Sequence, residues 1–154
     1  MRYIKGYYSL FLVSILFFTS CGLDENPVYD LKFFHIMVNE SSSVTVSAKA
    51  NTIGTYNIYF STPATGETVT LTYEVVAGDG LKEGVDFRLL QDENSITFLP
   101  GIYDMPVRIQ WIAHPLDPTK DNSLKIRLIG NDKGYSIGFP GPARHQSELT
   151  ITKV

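Results

Sequence analysis

The chain carries one cysteine, Cys21, in 154 residues. No disulfide within the chain is available to staple the fold, so its stability must come from a hydrophobic core. Positive charge is also in short supply. Thirteen Lys and Arg stand against sixteen Asp and Glu, a net charge of −3. A basic face, which nucleic acid or an anionic lipid surface would require, is not indicated. No apolar run reaches the roughly 20 residues of a membrane-spanning helix. Helical periodicity, internal repeats and low-complexity tracts are missing too. Histidine is scarce: His35, His114 and His145 lie far apart. Their spacing is not that of metal ligands, and they read as strand-end or surface side chains.

What the chain does have begins at its start. Arg2 and Lys5 precede an apolar stretch from Tyr7 to Phe18, followed by Thr19-Ser20-Cys21. A positive start, a short apolar run and small residues make a cleavable export signal rather than a transmembrane helix. With cysteine directly after the small residues, the segment resembles a bacterial lipoprotein signal. The resemblance implies that the Cys21 thiol carries a diacylglycerol and that cleavage leaves Cys21 as the first residue. Two or more acyl chains anchor stably, at about 0.8 kcal/mol per buried CH₂. The segment after Cys21, Gly22-Leu23-Asp24-Glu25-Asn26-Pro27, resembles the surface-export signal of Bacteroidota lipoproteins. The expected organisation is a signal peptide over 1–20, a lipidated tether over 21–30 and one domain over 31–154. Cleavage removes two bases and no acid, which takes the net charge from −3 to −5.

The remaining chain reads as about eight short strands. Val69, Leu71, Tyr73 and Val75 alternate with Thr68, Thr70, Thr72 and Glu74, giving one apolar face and one polar, mostly hydroxyl-bearing face. Similar alternation marks 43–48, 56–60, 107–111, 124–128 and 148–152, with short apolar runs at 31–38, 87–90 and 95–99. Strands at near-regular spacing between turn signals indicate an antiparallel sandwich or barrel. Trp111 shares parity with Val107 and Ile109, which places it in the core. Arg108, Gln110, Lys125 and Arg127 fall on outward positions. They would form a locally basic face if their strands were neighbours. The Gly- and Pro-rich segment from Gly130 to Arg144 is long for a hairpin loop, and such loops often carry function.

The stretch from Val69 to Gly130 resembles the Calx-beta domain, an immunoglobulin-like sandwich. The matching residues are Tyr73, Gly78-Asp79-Gly80, Gly84-Val85-Asp86-Phe87, Ile96-Thr97-Phe98-Leu99-Pro100-Gly101 and Val107-Arg108-Ile109. The fold class expected is therefore all-β: a single immunoglobulin-like, Calx-beta-like antiparallel β-sandwich. The resemblance also implies a calcium site, which needs six to eight oxygen ligands. Asp79, Glu83 and Asp86 are present, but Ala113-His114-Pro115-Leu116-Asp117 stands where the family has an acidic run. No metal site is expected, and Asp86 is read as organising its own turn.

Two further motifs bear on function. Gly134-Tyr135-Ser136-Ile137-Gly138 spells G-x-S-x-G, with His145 downstream. A nucleophile elbow needs a helix after the serine and an acid before the histidine, and neither is present. Tyr103, Tyr135 and Phe139 lie in or beside turns, where a core role explains aromatics less readily, and they are the candidate ligand-binding residues. The expected function is a non-catalytic cell-envelope lipoprotein, a surface binding module associated with glycan uptake. The alternative is a structural or protein–protein interaction subunit of an envelope complex. No enzyme activity and no cofactor are expected. The expected partners are the membrane, through the lipid on Cys21, and a polysaccharide or an envelope protein complex. The expected location is the outer membrane at the cell surface, with a periplasm-facing anchor as the alternative.

Overall fold

The structure is a computed structural model that describes residues 30–62 and 66–154. The signal, Cys21 and the tether up to residue 29 lie outside the described residues. Ten strands follow one another: β1 (Phe33–Ile36), β2 (Ser43–Val46), β3 (Thr52–Ser61), β4 (Val69–Ala77), β5 (Phe87–Leu89), β6 (Ser95–Phe98), β7 (Asp104–Trp111), β8 (Ser123–Asn131), β9 (Ser136–Ile137) and β10 (Glu148–Lys153). They form two five-stranded sheets, ordered β5-β7-β3-β1-β9 and β2-β10-β8-β4-β6.

The alternation seen in the sequence becomes the core. Tyr56, Ile58 and Phe60 on β3 and Val107, Ile109 and Trp111 on β7 face inward from the first sheet. Val69, Leu71, Tyr73, Leu124, Ile126, Leu128, Leu149 and Ile151 complete the core from the second. Each such side chain, fully buried, contributes about 1.5–3 kcal/mol. Phe34 stacks on Phe60 at 4.3 Å between ring centroids and meets Phe98 edge-on at 5.2 Å. Trp111 is fully buried, and its indole N–H donates to the Tyr56 hydroxyl at 2.9 Å. That bond removes the cost of burying a polar donor.

The pairings define two ends of the sandwich. At one end, called the base, Phe33 pairs with Ser61, the Phe60 N–H donates to the Tyr103 carbonyl, and Phe98 pairs with Val69. At the other end, the top, Trp111 lies opposite Thr52 and Phe87, and Ser123 pairs with Thr152. The chain therefore enters the domain at the base.

Several expectations need correction. Two pairings are parallel rather than antiparallel, β1 with β9 and β10 with β2. Strand β9 lies inside the segment expected to be a loop. Two residues between Tyr135 and Gly138 carry no alternation, and only the edge of β1 makes a strand of them. His35 is neither surface nor strand-end. It lies within β1, which is buried on both faces because the segment after β9 folds back over its outer side. The locally basic face does not form. Arg108 and Gln110 lie on β7, whereas Lys125 and Arg127 lie on β8 in the opposite sheet. Arg127 bridges Glu74 and Glu148 at 2.7 Å each, and Lys125 reaches Glu148 at 3.2 Å.

Candidate functional site

The segment between β8 and β10 builds an ordered surface feature. Asn131 closes the first turn: its Oδ1 accepts the N–H groups of Lys133 and Tyr135, and its Nδ2 donates to the Tyr135 carbonyl. This is an Asx turn, a common use of asparagine where a strand reverses. The chain then runs beside β1. The Gly138 N–H donates to the Phe34 carbonyl at 2.8 Å, and the Ile36 N–H donates to the Gln146 carbonyl at 2.9 Å. Between these two anchors, residues 139–145 loop out and close on themselves through Phe139 N–H to the His145 carbonyl, 2.8 Å. Gly138 is required at the neck. Its φ is +78°, and a Cβ there would sit 2.5 Å from the Arg144 carbonyl oxygen.

Tyr135 and Phe139 occupy the two sides of this feature in different ways. The Tyr135 ring stacks on Phe60 at 5.7 Å and lies 5.1 Å from the Lys32 ammonium. Its hydroxyl donates to Glu67 and accepts from Lys32 at 3.4 Å. The hydrogen bond to Glu67 raises the phenol's pKa, and the same bond together with Lys32 holds the Glu67 carboxyl below its usual range. Phe139 lies 5.1 Å from Phe33 and 5.4 Å from His35, capping both while keeping 41% of its own surface exposed. Between them runs an open groove of about 450 Å³, lined also by Asn131, Ser136, Ile137 and Arg144. That volume is within the range of small-ligand sites. Two aromatic rings, an amide, a hydroxyl and a guanidinium suit an uncharged polar ligand with apolar faces. Tyr103 is not part of the groove. It lies at the base, where the turn after β6 enters β7.

Ser136 of the G-x-S-x-G motif is in β9 and is followed by turns rather than a helix. Its N–H donates to the Lys32 carbonyl as part of strand pairing, so the motif is an edge strand and not an elbow.

The acids singled out from the sequence are turn elements at the top. The Asp79 carboxylate accepts the Asp121 N–H, and Asp121 accepts the Ser123 N–H. The Asp86 Oδ2 accepts the Lys82 N–H at 2.9 Å, which is the turn role expected of it. Its other oxygen has a partner that the sequence reading missed. Lys153 is fully buried, and its ammonium donates to Asp86 Oδ1 at 3.1 Å, the Asp86 carbonyl at 3.1 Å and the Ile112 carbonyl at 2.8 Å. His114 Nδ1 lies 3.1 Å from the same Asp86 oxygen. Burial alone would raise the Asp86 pKa, but the Lys82 N–H, the ammonium and His114 outweigh it and hold the carboxyl below its ordinary value. The one buried carboxylate of that loop thus already holds a cation from the chain itself. Among the described residues, no group of three or more His, Cys, Asp or Glu is placed to hold a metal. A signal for Lys153 existed, because it shares strand parity with Leu149 and Ile151.

Comparison with known proteins yields a match in structure alone. Among solved structures, the chain is similar to the crystal structure of CBD12 from CALX1.2, with a TM-score of 0.56 and 16% identity, over 79% of this chain. The fold is Calx-beta-like. The chain spans 44% of the length of that neighbour, and the likeness extends to fold only. No protein-family model matches the chain, and no curated protein matches it in sequence.

Proposed function

We propose that the chain is a non-catalytic envelope lipoprotein, held through lipid on Cys21, whose Calx-beta-like domain binds a glycan. The observation that carries the binding reading is the groove between Tyr135 and Phe139. Its loop is hydrogen-bonded at both ends, and it leaves an aromatic ring exposed beside polar groups. Aromatic faces with adjoining amide and guanidinium donors match the alternating apolar and hydroxyl surfaces of a sugar. The outer membrane at the cell surface is the location proposed. The rival reading, an interaction subunit that pairs through a strand edge, is less well supported. All four edge strands, β5, β9, β2 and β6, have only two to four residues, a length that limits edge-to-edge pairing.

The test is native affinity electrophoresis of the detergent-solubilised chain through gels containing individual polysaccharides. Retardation by one glycan, lost in Phe139→Ala and in Arg144→Ala but kept in Tyr103→Ala, is the expected result. Retardation that survives both groove variants removes the groove from the argument. Failure of every polysaccharide favours the interaction subunit. For the anchor, Cys21→Ala should release the protein from the membrane fraction, and unchanged retention would sink the lipid attachment.

A further inference from the structure

Four exposed apolar side chains gather at the base: Leu31 just before β1, and Leu99, Ile102 and Tyr103 in the turn between β6 and β7. Leu99 is 58% exposed, and Leu31 is 49% exposed. Single exposed apolar residues need no explanation, but a cluster does. The turn Leu99-Pro100-Gly101-Ile102-Tyr103 carries no charge over its whole length. It is pinned by the Ile102 N–H to the Leu99 carbonyl at 2.9 Å and by the Tyr103 carbonyl on the Phe60 N–H at 2.7 Å. The shape is therefore fixed while the side chains point away from the core. Asp30, exposed directly before Leu31, stands at the edge of this surface, and the other charges nearby are engaged. Lys32 faces Glu67 and the Tyr135 hydroxyl, the Asp104 carboxylate accepts from Asn57, and Asp132 accepts the Thr70 N–H.

The chain's own length says what lies opposite. Cys21 lies nine steps along the chain from Asp30, where the described chain begins at the base. Nine steps reach at most about 30 Å when fully extended. Thr52 and Ser61, the two ends of β3, are also nine steps apart, about 30 Å from base to top. A lipid on Cys21 therefore lets the base meet the bilayer at any tether extension, whereas the top would need the tether drawn out to its full length.

We propose that the turn Leu99–Tyr103, with Leu31, is a membrane-contact surface that seats the base of the domain in the lipid interface. This rests on the reading of Cys21 as the lipid-bearing residue. A rigid uncharged turn with Leu, Ile and Tyr at its tip resembles other interfacial segments, in which apolar side chains enter the boundary between headgroups and acyl chains. Tyr103 sits at the polar margin of the turn, where its amphipathic ring suits that interface. The contact would hold the domain upright, with the Tyr135 end of the groove beside the base and Phe139 further from it. Tyr103, one of three aromatics grouped by the sequence as ligand-binding, thereby takes a different role from the other two.

The experiment places a tryptophan at the turn. The full chain carrying Leu99→Trp, and separately Ile102→Trp, is reconstituted through its lipid into phosphatidylcholine vesicles with or without bromine on the acyl chains. Trp111 is fully buried at the top and serves as the internal reference, since bromine cannot reach it. The added tryptophan should lose about half or more of its emission in brominated vesicles, as expected for a side chain about 5–10 Å into the interface. The parent chain should lose none. A chain that floats with the vesicles but whose added tryptophan is no more quenched than Trp111 overturns the contact and leaves the anchor standing. A chain that does not float overturns the anchor, and the contact with it.

Discussion

Replacing Lys153 by methionine removes a buried ammonium and keeps most of the apolar stem. The ammonium makes three hydrogen bonds, two of them to Asp86 and one to the Ile112 carbonyl. Without it, the Asp86 carboxylate stays buried, with only the Lys82 N–H and the half-exposed His114 for support. Breaking a buried pair on one side costs about 3–5 kcal/mol. Because His114 still offers partial compensation, a value near the lower limit, about 3 kcal/mol, is expected. At roughly 4 °C per kcal/mol for a domain of this size, Tm should fall by about 12 °C. Urea unfolding at pH 7, followed by Trp111 emission, measures the loss by linear extrapolation. Asp86→Asn, which keeps an acceptor for the Lys82 N–H, and the double variant complete a cycle. The double variant should lose less than the two singles together, by about 1–3 kcal/mol. Strict additivity, or a loss below about 0.5 kcal/mol for Lys153→Met, a value typical of a neutral surface change, would refute the reasoning. The pH dependence has a defined sign. The Asp86 pKa is lowered in the folded state, so its contribution is fully present above the unfolded value of about 3.9 and is lost as pH falls through the lower folded value. In Lys153→Met that acid-side loss should be smaller.

Three other outcomes test the structure. Burial lowers the pKa of His35, whose Nδ1 has no hydrogen-bond partner. Below about pH 6.5 the unfolded chain binds the proton first, so stability should fall with acidification from there. His35→Phe should remove that slope, and an unchanged slope in urea titrations at pH 7 and 5.5 would refute it. Gly138→Ala forces a side chain into a left-handed backbone position against the Arg144 carbonyl. It should cost about 1–3 kcal/mol and speed amide exchange at Ile36 and Phe139, whose N–H groups close the loop, while leaving β8 protected. Finally, Trp111→Phe strands the Tyr56 hydroxyl in the core and leaves a void. A loss of about 2 kcal/mol or more is expected in the same unfolding assay, read by circular dichroism.

The fold was legible in the chain because strand alternation is a local property. Val69, Leu71 and Tyr73, or Val107, Ile109 and Trp111, announce their inward face within a few residues, and the order of turns and strands carried the Calx-beta resemblance. The resemblance of residues 1–21 to a lipoprotein signal is likewise carried by a local pattern. The candidate groove was only half legible. Tyr135 and Phe139 were marked by their position in turns, yet nothing local separated them from Tyr103.

What the sequence determined by itself is the two-faced strand pattern, the lack of disulfide support, the acidic balance and the single cysteine behind an export-like segment. Tertiary structure alone decided which strands are neighbours, and with that whether charges add or cancel. Arg108 and Lys125 both take outward positions but lie on opposite sheets, while Arg127 is neutralised by Glu74 and Glu148 across 53 and 21 residues. It also decided that Ser136-Ile137 is a strand, since two residues extend only when an edge such as β1 offers hydrogen bonds. The pairing of Asp86 with Lys153 spans 67 residues. Alternation could point Lys153 inward, but only the closed sandwich could place a carboxylate there to meet it.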